Sequence, residues 1–292
     1  MNIEQIMQEL VDRKVLNSIA IPAKALSGGT VSKLYLLERT DGNPYVVKMN
    51  EPRVVKSESV FLKHYQSSNL LPKLIFLESS NTYLVYSFIT GSTDYPDGNK
   101  REILQTLIHG LINDYKQVST KQGWGWADQP SKSWRDFLEE ERSEKSKMIG
   151  IHLGDEDHKL IYHLVQSMEE EREAFLLHGD CGVHNFIFEG GRLQGVIDPT
   201  PVIGDPLYDV IYAFCSSPDE LTIETFHSIL DQIRFKRETS VTTIYEKVLI
   251  GLYLRIGTAI KHHPSDLDSY LVSWQYWREI VLQCRNKGGL ES

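Results

Sequence analysis

The segment His178-Gly179-Asp180-Cys181-Gly182-Val183-His184-Asn185 gathers groups that can do chemistry on one short loop. A carboxylate, Asp180, can orient or deprotonate an incoming hydroxyl, and the amide oxygen of Asn185 can hold a magnesium ion beside it. Shortly after, Gly195-Val196-Ile197-Asp198 reads as a buried strand that ends on a carboxylate, which places that carboxylate at the edge of a cleft. Asn185 and Asp198 together form an oxygen-only donor set suited to magnesium on nucleotide phosphates. Gly204-Asp205-Pro206-Leu207-Tyr208-Asp209 then opens a helix. Asp205 is its expected N-cap and Pro206 its first residue. Asp209 falls about one turn in, aimed back at the loop.

In order, H-G-D-x-x-x-x-N, I-D and G-D-P-x-x-D resemble the aminoglycoside phosphotransferase and choline kinase family, relatives of the protein kinases. The resemblance implies that Asp180 is the catalytic base and that Asn185 and Asp198 bind magnesium. It also makes His178 the structural histidine of the loop and Asp209 the brace that steadies it. Gly123-Trp124-Gly125-Trp126 through Ser133-Trp134-Arg135-Asp136-Phe137-Leu138 is similar to hygromycin phosphotransferase-like bacterial members.

The upstream chain keeps the kinase order. Kinases use a strand lysine to hold nucleotide phosphates and pair it with a helix glutamate. Lys48 ends a strand and Glu58 lies in the helix that follows, with Glu51 as a competing partner. Gly28, Gly29 and Thr30 stand where a loop should cover the phosphates. Ser87, Phe88 and Ile89 occupy the hinge, where backbone groups would meet a purine. Three features depart from the family pattern. The glycine turn lacks G-x-G-x-x-G, Pro199-Thr200 follows Asp198 in place of an aromatic, and Asn113-Asp114-Tyr115 stands where a Leu-His pair is usual.

These residues need two kinds of scaffold. Residues 1–88 predict a small nucleotide-binding sheet crossed by one helix, after a lead-in helix over 3–16. The Asp41-Gly42-Asn43 triplet is a hairpin signal between strands at 31–37 and 44–48. Helical period returns over 54–65, and strands follow at 74–77 and 82–88. From residue 89 onward the chain predicts a helical lobe, with helices over 101–118, 134–148, 158–175, 206–215, 226–235, 244–260 and 267–281. Short strands at 186–188 and 193–197 interrupt it around Gly190-Gly191. The fold class expected is α+β, bilobal and protein-kinase-like.

Composition narrows the function. The 292 residues carry 31 Lys+Arg against 40 Asp+Glu, a formal charge of −9, which disfavours a broad nucleic-acid footprint. Cys181, Cys215 and Cys284 form no C-x-x-C pair, so neither a zinc site nor a disulfide framework is expected. Met1-Asn2-Ile3-Glu4-Gln5 has no basic stretch leading into an apolar run, and no apolar stretch approaches the roughly 20 residues of a membrane span. A cytoplasmic monomer or homodimer is the expectation.

The resulting function is transfer of the γ-phosphoryl group of ATP or GTP, with Mg2+, to the hydroxyl of a small molecule. A cationic aminoglycoside-type antibiotic is the first acceptor, with Asp266, Asp268 and Glu279 as acidic groups of the helical tail. Choline, homoserine and sugar-like metabolites are the second. A nucleotide-binding protein without catalysis, or a metal-dependent hydrolase built on the same carboxylates, are the competing classes. His184 is expected to face solvent or pack, Cys181 to pack, and Lys261-His262-His263 to be a basic helix end. Trp134, Trp274 and Trp277 are core by default, with a substrate wall as the alternative.

Overall fold

The computed structural model describes residues 2–26, 32–39, 42–96, 98–169, 171, 173–235 and 240–288. It opens with helix α1 (Ile3–Asp12). Asn2 starts this helix through a reciprocal cap: its side chain accepts from the Gln5 N–H, and the Gln5 side chain accepts from the Asn2 N–H. Strands β1 (Ala23–Leu26), β2 (Lys33–Leu37) and β3 (Tyr45–Met49) follow, then helix α2 (Pro52–His64), β4 (Leu74–Leu77) and β5 (Tyr83–Ser87). The five strands form one antiparallel sheet in the order β1-β2-β3-β5-β4.

Alternation along the strands gives this sheet two apolar faces. Leu37, Val47, Tyr83 and Val85 pack with Ile6, Met7 and Leu10 of α1. Val46, Leu84 and Tyr86 face the other way, toward Val55, Phe61 and Leu62 of α2. That second cluster runs on without a break into the rest of the molecule.

The larger lobe holds α3 (Lys100–Gly110), β6 (Gln117–Val118), β7 (Gly125–Trp126), α4 (Trp134–Ile149), α5 (Asp155–Gln166), β8 (Ala174–Leu177), β9 (Phe186–Glu189), β10 (Arg192–Val196), β11 (Val202–Gly204), α6 (Leu207–Cys215), α7 (Ile223–Leu230), α8 (Val241–His262) and α9 (Leu267–Gly288). Strands β9 and β10 form a hairpin, and β6-β8-β11-β7 form a small sheet beneath the site. The architecture is a small antiparallel lobe joined to a mainly helical lobe, the α+β kinase-like arrangement. Among the described residues no helix is long and apolar enough to cross a membrane.

Two expected helices are shorter than their periodicity implies. The helix expected over 101–118 stops at Gly110, where a Cβ would lie 2.6 Å from Leu70 Cδ1, and the chain turns into β6. The helix expected over 158–175 begins earlier, at Asp155, and stops at Gln166. Ala174–Leu177 is instead a strand buried on both faces. A short strand of that kind is uniformly apolar, so its periodicity resembles a helix end. Helix α6 begins at Leu207, one residue after Pro206, and Asp205 Oδ1 accepts from the Leu207 N–H at 3.0 Å.

Candidate active site

Period-2 alternation places Lys48 of β3 on the same face as Val46, toward α2. Glu58 on α2 meets it there, with Nζ 2.6 Å from Oε2, and the two residues are 2% and 1% exposed. Lys48 also pairs with Asp198 Oδ1. Burial works against the Lys48 charge, but the Glu58 and Asp198 carboxylates outweigh it and hold the ammonium above its usual range. Glu51 is occupied elsewhere, 3.1 Å from Arg53 Nε. Gly28, Gly29 and Thr30, and Asp41 of the hairpin signal, lie outside the described residues.

At the hinge, Ser87 N–H donates to Lys73 O and Phe88 N–H donates to Pro44 O, each at 2.9 Å. Of Ser87, Phe88 and Ile89, only Ile89 has a backbone N–H without a partner among the described residues.

The loop after β8 is held from below. Asp209 is fully buried and accepts from three donors: Tyr115 Oη at 2.5 Å, His178 N–H at 2.8 Å and Gly179 N–H at 3.0 Å. Burial pushes the Asp209 carboxyl up to about 6, against the pull of these hydrogen bonds. Gly179 sits at φ +81°, and a Cβ there would lie 1.9 Å from Thr200 O, so only glycine fits. His178 donates from Nε2 to Ile197 O at 3.1 Å and accepts the Asp180 N–H on Nδ1 at 3.3 Å. Burial lowers this imidazole to about 4, which keeps it neutral and suited to both bonds. Its ring packs edge-on against Phe61 of α2, linking the loop to the helix that carries Glu58.

Asp180 is a quarter exposed at the cleft. Tyr212 Oη donates to Oδ1 at 2.6 Å, while Asn185 Nδ2 and His184 Nε2 donate to Oδ2 at 2.9 and 3.2 Å. Burial alone would raise this carboxyl. The hydrogen bonds and neighbouring imidazole charge outweigh it and hold the group at about 2. His184, expected to face solvent or pack, therefore engages the carboxylate.

Asn185 immediately precedes β9, and Asp198 lies just past β10. The pairing of Val196 with Phe186 brings both to the same end of the hairpin, where Ile197 N–H donates to Asn185 O at 2.9 Å. Asp198 adopts φ +58° directly before Pro199. A β-carbon residue in the left-handed region is strained, and a following proline adds to the cost, a pattern that clusters at functional sites.

Beside Asp180, a cavity of about 210 Å³ opens between α4, α6 and α8. Trp126, Trp134, Tyr208 and Tyr212 line it, and its charged members are Glu141, Asp205, Lys145, Lys247 and Arg255. Trp134 is thus a wall residue. Trp274 and Trp277 are fully buried in the core and do not reach the cavity. Asp266, Asp268 and Glu279 are also absent from its wall. Cys181 is fully buried, and burial raises its thiol well above the ordinary range, so it packs.

Sequence reasoning passed over Tyr115 and Tyr212. Tyr115 belongs to the triplet that departs from the family pattern, and it supplies a donor to Asp209. Tyr212 lies one helical turn after Asp209 on α6, and that spacing was its only signal.

The family described as the phosphotransferase enzyme family matches residues 22–236. No curated protein matches the chain by sequence. Solved structures share its fold. Aminoglycoside phosphotransferase APH(4)-Ia, as a thermostable mutant in ternary complex with AMP-PNP and hygromycin B, is 19% identical with a TM-score of 0.57, over 95% of this chain and 98% of that one. An inferred fructosamine-3-kinase from Thermobifida fusca YX-ER1 is 13% identical with a TM-score of 0.61, over 94% of this chain and all of that one. Aminoglycoside phosphotransferase APH(2'')-Ib with bound ADP is 18% identical with a TM-score of 0.55, over 93% and 98%.

Proposed function

This chain belongs to the phosphotransferase enzyme family, and from that premise we propose that it transfers the γ-phosphoryl group of a nucleoside triphosphate to the hydroxyl of a small molecule. The observation that carries this reading is Asp180. Its carboxylate is kept ionised at the cleft, in the same site as the Lys48–Asp198 pair and bonded to Tyr212 of the cavity wall. Neighbouring structures hold ADP and AMP-PNP, which supports ATP as the donor.

Lys48, fixed by Glu58, grips the nucleotide phosphates, and the unpaired backbone of Ile89 meets the purine. Asn185 and Asp198 fit a magnesium ion. The Asn185 amide nitrogen is spent on Asp180, which leaves its oxygen as a hard donor. Asp198 gives one oxygen to Lys48 and keeps the other. These two oxygens would hold the ion, and a bound magnesium would supply charge neutralisation for the transferred phosphoryl group. Asp180 aligns the acceptor hydroxyl and takes its proton as the bond to phosphorus forms. His178, Tyr115 and Asp209 hold the loop so that this alignment costs no reorganisation.

Two acceptor classes are in view, a polycationic aminoglycoside and a smaller metabolite. The cavity favours the second. Asp205 is paired with Lys247 at 2.6 Å, and one oxygen of Glu141 accepts from the Trp126 indole at 3.1 Å, so the wall offers few carboxylate oxygens to a polycation. Nucleotide-dependent ADP release across an acceptor panel, with Asp180→Asn as control, tests the reading. ADP release that is equal in the variant would overturn it.

A further inference from the structure

We propose that the acceptor is a hydroxylated monocarboxylate with an apolar or aromatic body, and that its carboxylate pairs with Arg255. This inference rests on the kinase reading and names the acceptor class of the same site.

Arg255 projects from α8 into the cavity wall and is 8% exposed. Its Nε donates to Tyr270 Oη at 2.9 Å, and that hydroxyl donates onward to Cys215 O at 3.0 Å. Its guanidinium carbon lies 5.4 Å from the Tyr270 ring centroid. The Nε edge is therefore fixed. Among the described residues no carboxylate lies within ion-pair distance of this guanidinium, and its terminal nitrogens make no hydrogen bond. A buried cation left in that state is costly unless an anion arrives to meet it. The planar fork suits the two oxygens of a carboxylate.

The other charges in the wall have opposite charges beside them. Lys247 is paired with Asp205 and with Glu171, and Lys145 acts on the nearby Glu141. Arg255 is the wall cation with no carboxylate set beside it among the described residues, which calls for a monoanion. The rest of the wall is apolar: Trp126, Trp134, Leu138, Met168, Ile250 and Leu254. Tyr212 lines the same cavity and bonds Asp180, so an acceptor seated on Arg255 extends toward the base at that end. A polycation would meet the positive charge of Arg255.

The test is isothermal titration of the full chain without nucleotide, using matched probes. 3-Phenyllactate is set against 3-phenylpropane-1,2-diol, and 4-hydroxybenzoate against 4-hydroxybenzyl alcohol, with phenyl phosphate and hygromycin B alongside. Each acid should bind at least about tenfold more tightly than its neutral partner. Arg255→Met should abolish that preference and Arg255→Lys should keep part of it, with circular dichroism showing both folded. Five outcomes would each overturn the proposal: no binding of either acid, neutral partners binding as well, a preference that survives Arg255→Met, phenyl phosphate binding more tightly than the acids, or binding of hygromycin B. ADP titration of the unsubstituted chain reports separately on the kinase reading. Absent ADP binding sinks that reading, whereas intact ADP binding without acid preference sinks only the acceptor class.

Discussion

Tyr212 Oη lies 2.6 Å from Asp180 Oδ1, and the same tyrosine forms part of the cavity wall. One side chain thus touches both the proposed general base and the space an acceptor would fill. Burial and the neighbouring carboxylate keep the Tyr212 phenol protonated, so it can only donate to Asp180. Removing this donor should let the carboxyl rise. Tyr212→Phe is expected to lower kcat by about tenfold, the worth of one hydrogen bond to a charged group. It should also move the acid limb of the kcat/KM profile to higher pH. A profile that superimposes on the native one would show that Tyr212 only packs.

In the proposed mechanism Asp180 takes the acceptor's proton. Asp180→Ala should reduce kcat by on the order of 10²–10⁴-fold while ADP affinity stays within about threefold of native. Turnover at the native rate would remove Asp180 from the mechanism.

In the proposed mechanism the buried Lys48–Glu58 pair serves both stability and nucleotide binding. Lys48→Met leaves the Glu58 carboxylate buried and unmatched, and should cost about 3–5 kcal/mol. Replacing both with methionine should recover much of that loss, because the stranded charge is gone. Activity should be lost in either case. Chemical denaturation of the single and double variants measures the difference; a double variant less stable than Lys48→Met would contradict the account.

Two glycines in left-handed conformations separate space from strain. Gly179→Ala must push a Cβ against Thr200 O and should destabilise by at least about 3 kcal/mol, with loss of activity. Gly190, at φ +58° with open space around it, should cost only about 1–2 kcal/mol on the same change. Similar losses at both positions would mean that the close approach at Gly179 is relieved by movement.

His178 and Asp209 make opposite contributions to acid stability. The His178 value falls from 6.5 to about 4 on folding, so the unfolded chain binds the extra proton first. Its stabilising contribution is present above pH 6.5 and drains away as pH falls toward 4. Asp209 rises from 3.8 to about 6, so acidification through that window favours the folded state. The two trends offset one another in the native chain. In His178→Gln only the Asp209 trend remains. The variant's deficit against native should therefore shrink by about 3 kcal/mol between pH 7 and pH 4. A deficit independent of pH would show that His178 titrates normally.

The loop from His178 to Asn185 could be read from sequence because its chemistry depends on near neighbours along the chain. So could Lys48 and Glu58, since strand alternation and helix position are local properties. The helix ends near Gly110 and Gln166 could not, because contacts with Leu70 and with the β8 sheet decide them. Periodicity has no access to such contacts.

The ordered residues Asp180, Asn185, Asp198 and Asp209 were enough to determine the family and the phosphoryl-transfer chemistry. Tertiary structure alone decided what surrounds the base. Tyr115 and Tyr212 reach their partners across 94 and 32 positions of chain, and Arg255 becomes a lone buried cation only when α8 packs against α9 and the cavity. The proposed acceptor site is built from side chains on separate helices whose convergence no local pattern encodes, whereas Asp180, Asn185 and Asp198 lie within one loop and the hairpin that follows it.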